Sequence, residues 1–215
     1  MEGRPVSRSE IIVHANDAGC SCHRITGSAP AVPIVALDFE ASCLPKHGRS
    51  YPIEVGIAHT ADTARSWMIR PHSSWQGWDW TEEAENLHGL SRERIAREGM
   101  PVEQVAIELR EALSGVCVVA DSSIDGHWLR TLEEAAQIGP IATIVELRSL
   151  LDDRSVSSAA VFDAIKRVDA LPLKRHRAGD DARWLATLLT ELGLMNAAES
   201  VPLFAWPSAQ GRLRA

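Results

Sequence analysis

The chain has 215 residues, 45% apolar and 24% charged, with 29 acidic against 22 basic side chains and a net charge of −7. That length suits one domain with a tail or two small domains, and the composition excludes wholesale disorder. No apolar run approaches the roughly 20 residues of a membrane span, and Ile11, Ile12 and Val13 are too short a cluster for a signal peptide, so a cytoplasmic protein is expected.

Residues 1–30 are rich in Ser, Gly and charge without periodicity, which predicts a mobile leader. They contain His14, Cys20, Cys22 and His23, a cramped grouping with no second ligand pair, unlike the usual zinc spacings. With Cys43 and Cys117 the cysteines number four, too few for a disulfide framework in a chain this long. The apolar run at 32–37 reads as a buried strand. Residues 51–60 alternate Tyr51, Ile53, Val55 and Ile57 against smaller or polar neighbours, which predicts a second strand, and 64–70 a third. Their short links favour antiparallel pairing.

A loop with Trp75, Trp78 and Trp80 follows; such rings either stack unpaired bases or plug an edge of the core. Short helices are expected at 82–88 and 91–98. A longer one spans 101–114, with Pro101 at its first position, Gly115 at its stop and a stripe of Val102, Val105, Ala106, Leu109 and Leu113. Residues 116–120 are a buried strand, 123–138 a helix ending at Gly139-Pro140, and 141–147 a fifth strand. Helices at 157–168 and 179–192 complete the pattern, and 193–215 form a tail. Three strands, then strands alternating with helices, predict an α/β fold. Its five-stranded mixed sheet has three antiparallel strands followed by two parallel crossover strands, flanked by helices. One domain over 31–192 is long enough for a sizeable core.

The acids sit where a fold alone does not need them. Asp38 and Glu40 follow the first strand and, two apart, face the same way. They project at the carboxyl end of a central strand, where ligand sites in α/β sheets gather. Steps of three, four and seven from Asp125 reach Trp128, Leu129 and Leu132; from Asp181 they reach Trp184, Leu185 and Leu188. Both therefore lie on the inward stripe of their helices. Taken singly, each is explained by the helix dipole, and the first pair by a solvated strand end. Four acids converging from three elements call for cations, and oxygen donors favour Mg2+ or Mn2+. The net negative charge argues against a plain nucleic-acid surface. With four acids assigned to one site, only three negative charges remain over the rest. His176, five residues before Asp181, belongs on the loop entering the last helix, free to act there as a general base or to be a surface residue of a basic loop.

These residues resemble the DEDDh family of 3′→5′ exonucleases, which has the RNase H-like fold. Val35–Ser42 (VALDFEAS) resembles the first motif, with Asp38 and Glu40 as ligands. Ala120–Leu129 (ADSSIDGHWL) resembles the second, with Asp125, and His176–Ala182 (HRAGDDA) the third, with Asp181 rather than Asp180. YPIEVG at 51–56 and LHGL at 87–90 also resemble the family. Asp121 and Ile124 stand where the family usually has Asn and Phe; the inward stripe favours Asp125 over Asp121 as ligand. Ala41-Ser42 replaces a frequent Thr-Thr.

The resemblance implies hydrolysis of the terminal phosphodiester of single-stranded or frayed, 3′-overhang DNA or RNA, releasing nucleoside 5′-monophosphates. Two Mg2+ (or Mn2+) ions about 3.5–4 Å apart would be held by Asp38, Glu40, Asp125 and Asp181, with His176 as general base. Phe39, Ala41 and Ser42 would grip the last nucleotide, and Leu87, His88 and Leu90 would meet its base. Lys174, Arg175 and Arg177 would hold phosphates or form a solvated loop. Two other readings stay open: a catalytically silent module of the same fold that binds nucleic acid or a polymerase, and an endonuclease of the wider RNase H-like group. The sequence decides neither the sugar nor the oligomeric state.

Overall fold

The computed structural model describes residues 32–60 and 62–195. The expected leader, the Cys20, Cys22 and His23 grouping and residues 196–215 of the expected tail lie outside the described residues. Five strands form one sheet: β1 (Ile34–Ala41), β2 (Pro52–Ala58), β3 (Ala64–Met68), β4 (Cys117–Ala120) and β5 (Ile144–Glu146), in the order β3-β2-β1-β4-β5. β2 runs antiparallel to β1 and β3, while β4 and β5 run parallel to β1. The α/β arrangement follows from the connections. Short links turn the first three strands back on themselves, and each later strand returns through helices.

The described helices are α1 (Glu82–His88), α2 (Arg92–Glu98), α3 (Val102–Ala112), α4 (Ile124–Ala136), α5 (Leu147–Asp153), α6 (Ser158–Val168) and α7 (Ala178–Glu191). Two boundaries differ from expectation. β1 continues four residues beyond the apolar run, because Asp38 and Glu40 pair with Gly56 and Glu54 of β2. The two acids therefore stand inside the strand rather than after it. The fifth strand shrinks to three residues, and its expected end starts α5 instead. A short apolar run does not by itself separate a strand from a helical turn.

The sheet has a large-residue face and a small-residue face. Val35, Leu37, Phe39, Ile53, Val55 and Ile57 pack against Val105 and Leu109 of α3 and Leu129 and Leu132 of α4. Ala36, Ala58 and Val119 meet Ala182, Leu185, Ala186 and Leu189 of α7. This is the two-residue period of a strand written in side-chain size. Gly56 belongs to the small face, and a Cβ there would fall 2.1 Å from the Ala178 carbonyl oxygen. The first turn of α7 thus reaches β2 only because position 56 is glycine. Asp38, Glu40 and Glu54 share that face.

The tryptophan loop closes the edge of the large-residue core. Trp75 is buried and stacks on Tyr51 with centroids 5.4 Å apart. Trp78 and Trp80 are half-buried beneath the Arg49 and Arg92 guanidiniums, and the Trp80 indole N–H donates to Glu85 at 2.8 Å. No described helix is long and apolar enough to cross a membrane.

Candidate active site

β1 and β4 run side by side in the middle of the sheet, and β1 continues past the end of β4. Asp125 is in the first turn of α4, on the large-residue face, and Asp181 in the first turn of α7, on the small-residue face. Asp38, Glu40 and Asp181 each bring a carboxylate oxygen within 4.8 Å of the others. Asp125 is outside that threesome but adjoins it: its Oδ1 accepts the Phe39 N–H, between the two acids of β1, at 3.1 Å. Asp180 turns away and pairs with Arg183 at 3.3 Å.

Crowding and burial raise Asp38, Glu40, Asp121 and Asp125 above the ordinary carboxylate range. Asp38 is raised first by burial, then by the charges of Asp125, Glu40 and Asp181. Glu40 is pushed up to about 8, again chiefly by burial, then by Asp181 and Glu54, with Arg177 opposing. Burial, followed by Asp121, brings Asp125 to about 7, against the pull of the Phe39 N–H. Asp121, just past β4, is itself raised, by burial and then by Asp181. Such a cluster keeps its charge only with cations to balance it. An all-oxygen donor set of this kind fits a hard divalent ion.

The nearby guanidiniums are committed to particular partners. Arg177 grips Glu54 through two nitrogens, at 2.9 and 2.6 Å. Glu54 is only 2% exposed and also accepts the Ala178 N–H at 3.2 Å. Arg175 donates to Asp181 Oδ1 at 2.5 Å and lies over the Trp184 ring. The other Asp181 oxygen accepts the His176 backbone N–H at 2.7 Å. His176 is exposed, sits on the loop before α7, and holds φ at +63°, a conformation uncommon for a residue other than glycine. The His176 backbone is therefore tied to the carboxylate cluster while its ring stands at the surface.

The expected substrate contacts separate into internal and external groups. Phe39 and Ala41 belong to the large-residue core. Ser42 is fully buried, and its hydroxyl accepts the Tyr51 N–H at 3.1 Å. Any grip at these three positions falls to the main chain. Leu90 is buried in the core, whereas Leu87 is 55% exposed. His88 is 2% exposed, and its Nδ1 accepts the Leu90 N–H at 3.0 Å. That fixes the proton on Nε2, which is buried without a partner. Burial lowers the His88 ring to about 4, so it stays neutral.

The sequence leaves Arg177 either to a phosphate or to a solvated loop and gives Glu54 no role; the structure pairs the two. The signal for Glu54 was present: an acid in a strand of otherwise apolar residues, in phase with Gly56 on the small face. What was not legible was its partner, 123 residues away.

The described residues therefore build an α/β sheet protein with a carboxylate centre on the carboxyl-terminal half of its central strand. Solved structures that share this fold include exonucleases. A full-length 3′-exonuclease is 15% identical, with a TM-score of 0.57 over 75% of this chain and 82% of that one. Exonuclease I from Methylocaldum szegediense is 16% identical, with a TM-score of 0.52 over 74% of this chain and 40% of that one. The zinc-bound complex of E. coli exonuclease I with single-stranded DNA is 12% identical, with a TM-score of 0.55 over 74% and 39%. This chain spans about two fifths of the length of the exonuclease I chains. At such identities the likeness establishes the fold. No protein-family model matches the chain, and no curated protein sequence does.

Proposed function

We propose that this protein is a metal-dependent 3′→5′ exonuclease that shortens single-stranded or frayed 3′ ends and releases nucleoside 5′-monophosphates. The observation that carries this reading is the convergence of the Asp38, Glu40 and Asp181 carboxylates within 4.8 Å, on a fold shared with solved exonucleases. The exonuclease I structures solved with single-stranded oligonucleotides support the choice of substrate.

Asp38, Glu40, Asp125 and Asp181 would hold two Mg2+ or Mn2+ ions. Bound there, the metals would supply an activated water and balance the charge that develops on the phosphate. The protein does the remaining work. His176, carried on the loop that Asp181 anchors, takes the proton from the attacking water. Glu54 and Arg177 fix the end of that loop against β2. Leu87, which is exposed, offers an apolar surface to the terminal nucleotide.

The test compares 5′-labelled 3′-overhang DNA and RNA of equal sequence, with Mg2+, Mn2+ or EDTA, alongside Asp38→Ala. A metal-dependent ladder shortened from the 3′ end, absent in the variant, is the expected result. Internal cuts would refute the exonuclease reading, and binding without cleavage would assign the chain as a silent module.

A further inference from the structure

Three consecutive residues of the loop before α7 are tied to acids at the centre. Arg177 holds Glu54, the His176 main chain holds Asp181 Oδ2, and the Arg175 Nε holds Asp181 Oδ1 at 2.5 Å. Arg175 is also fixed from behind. Its guanidinium lies over the Trp184 ring, 4.6 Å from the centroid, and its Nη1 stands 3.8 Å from Asp169 Oδ1 at the end of α6. The Trp184 indole N–H donates to that same Asp169 oxygen at 2.8 Å. Asp181 and Trp184 are three apart on α7 and are therefore neighbours on its surface. One planar group thus spans both, bonded to the carboxylate and resting on the ring. Its charge also acts on Asp121, against the burial and the Asp181 charge that raise that carboxyl.

We infer that Arg175 is a positioning residue: it turns the Asp181 carboxylate toward the centre for a metal ion, and it does not hold a phosphate of the substrate. The inference rests on the proposed function, because it takes the carboxylate centre to be a metal site. A carboxylate in the first turn of a helix is free to rotate about its side-chain bonds. A hydrogen bond to each oxygen removes that freedom and still leaves each oxygen a lone pair for a metal. His176 supplies one of these bonds through its main chain, which side-chain substitution leaves in place. Arg175 supplies the other through its side chain, so this bond alone depends on the residue type. A phosphate would need the same guanidinium fork, whose Nε and Nη1 already face Asp181 and Asp169. The charge of Arg175 works against its geometry. A cation beside the centre repels a metal ion, so removing the charge by itself strengthens metal binding. Removing the support behind a metal ligand weakens binding, typically by about 10–100-fold. The sign of the change therefore separates the two effects.

The test uses the full chain, wild type and Arg175→Met, stripped of metal and titrated with Mn2+ while electron paramagnetic resonance follows the free ion. Arg175→Met should bind Mn2+ about tenfold more weakly. Arg175 is exposed and its ion pairs contribute little to the fold, so melting in EDTA should not change. The affinity for labelled single-stranded DNA in EDTA, and its salt dependence, should also stay as in the wild type. Equal or tighter Mn2+ binding by the variant would overturn the inference. So would weaker strand binding with a flatter salt dependence and intact Mn2+ affinity, which would assign Arg175 to a phosphate. A wild-type chain that binds no Mn2+ would instead overturn the metal centre of the proposed function, and the inference with it.

Discussion

Glu40→Gln tests the electrostatic reading of the centre without a substrate. Glu40 is 9% exposed and is raised from its ordinary 4.5 to about 8. The unfolded chain releases this proton near pH 4.5, while the folded chain keeps it until about pH 8. Folding therefore gains stability from the group below about pH 4.5 and loses it as pH climbs to about 8. The gap corresponds to about 5 kcal/mol at most. Because Asp38 and Asp125 are raised in the same cluster, the loss assignable to Glu40 alone is about 2–4 kcal/mol. A neutral isostere removes it. In urea unfolding with EDTA, wild type and Glu40→Gln should be about equally stable near pH 5. The variant should be more stable by about 2–4 kcal/mol near pH 9. Saturating Mg2+ or Mn2+ should restore the wild type at the alkaline end and help the variant less. Parallel stability curves over that pH range, or a variant weaker at pH 9, would refute the reasoning.

Three other outcomes are expected. His176→Ala should lower turnover by about 10²–10⁴-fold, the range for a lost general base, and leave metal affinity in calorimetry unchanged; equal turnover removes His176 from the mechanism. Glu54→Ala should destabilise the fold by about 3–5 kcal/mol, since it strands Arg177 beside the core, and Glu54→Leu/Arg177→Met should recover part of that loss in the same denaturation assay. Gly56→Ala should cost about 1–3 kcal/mol by overpacking and should also weaken metal binding, because α7 must retreat from β2; a variant with wild-type melting and metal affinity would show that the helix has room.

Much of the site was legible because strand and helix periods are short-range properties. The alternation at 35–41 says that Asp38 and Glu40 face one way, whatever the rest of the chain does. The inward stripes of α4 and α7 likewise mark Asp125 and Asp181. The mistakes fell where two local structures suit the same residues. The run at 141–147 is apolar enough for a strand, yet the chain turns helical at Leu147. Leu87, His88 and Leu90 are expected to meet the terminal base, yet a helix end divides them into exposed Leu87 and buried His88 and Leu90.

The sequence by itself determined the order of strands and helices, the phase of each acid on its element and the placement of His176 off the helix. Each depends only on residues within a turn or a strand length. Only the tertiary structure decided which acids meet, that Asp181 joins Asp38 and Glu40 while Asp125 enters through the Phe39 N–H. The same holds for the Glu54–Arg177 bond, which spans 123 residues. Those contacts are set by how closely α7 packs on β2, a distance governed by the missing side chain of Gly56 and by no local pattern.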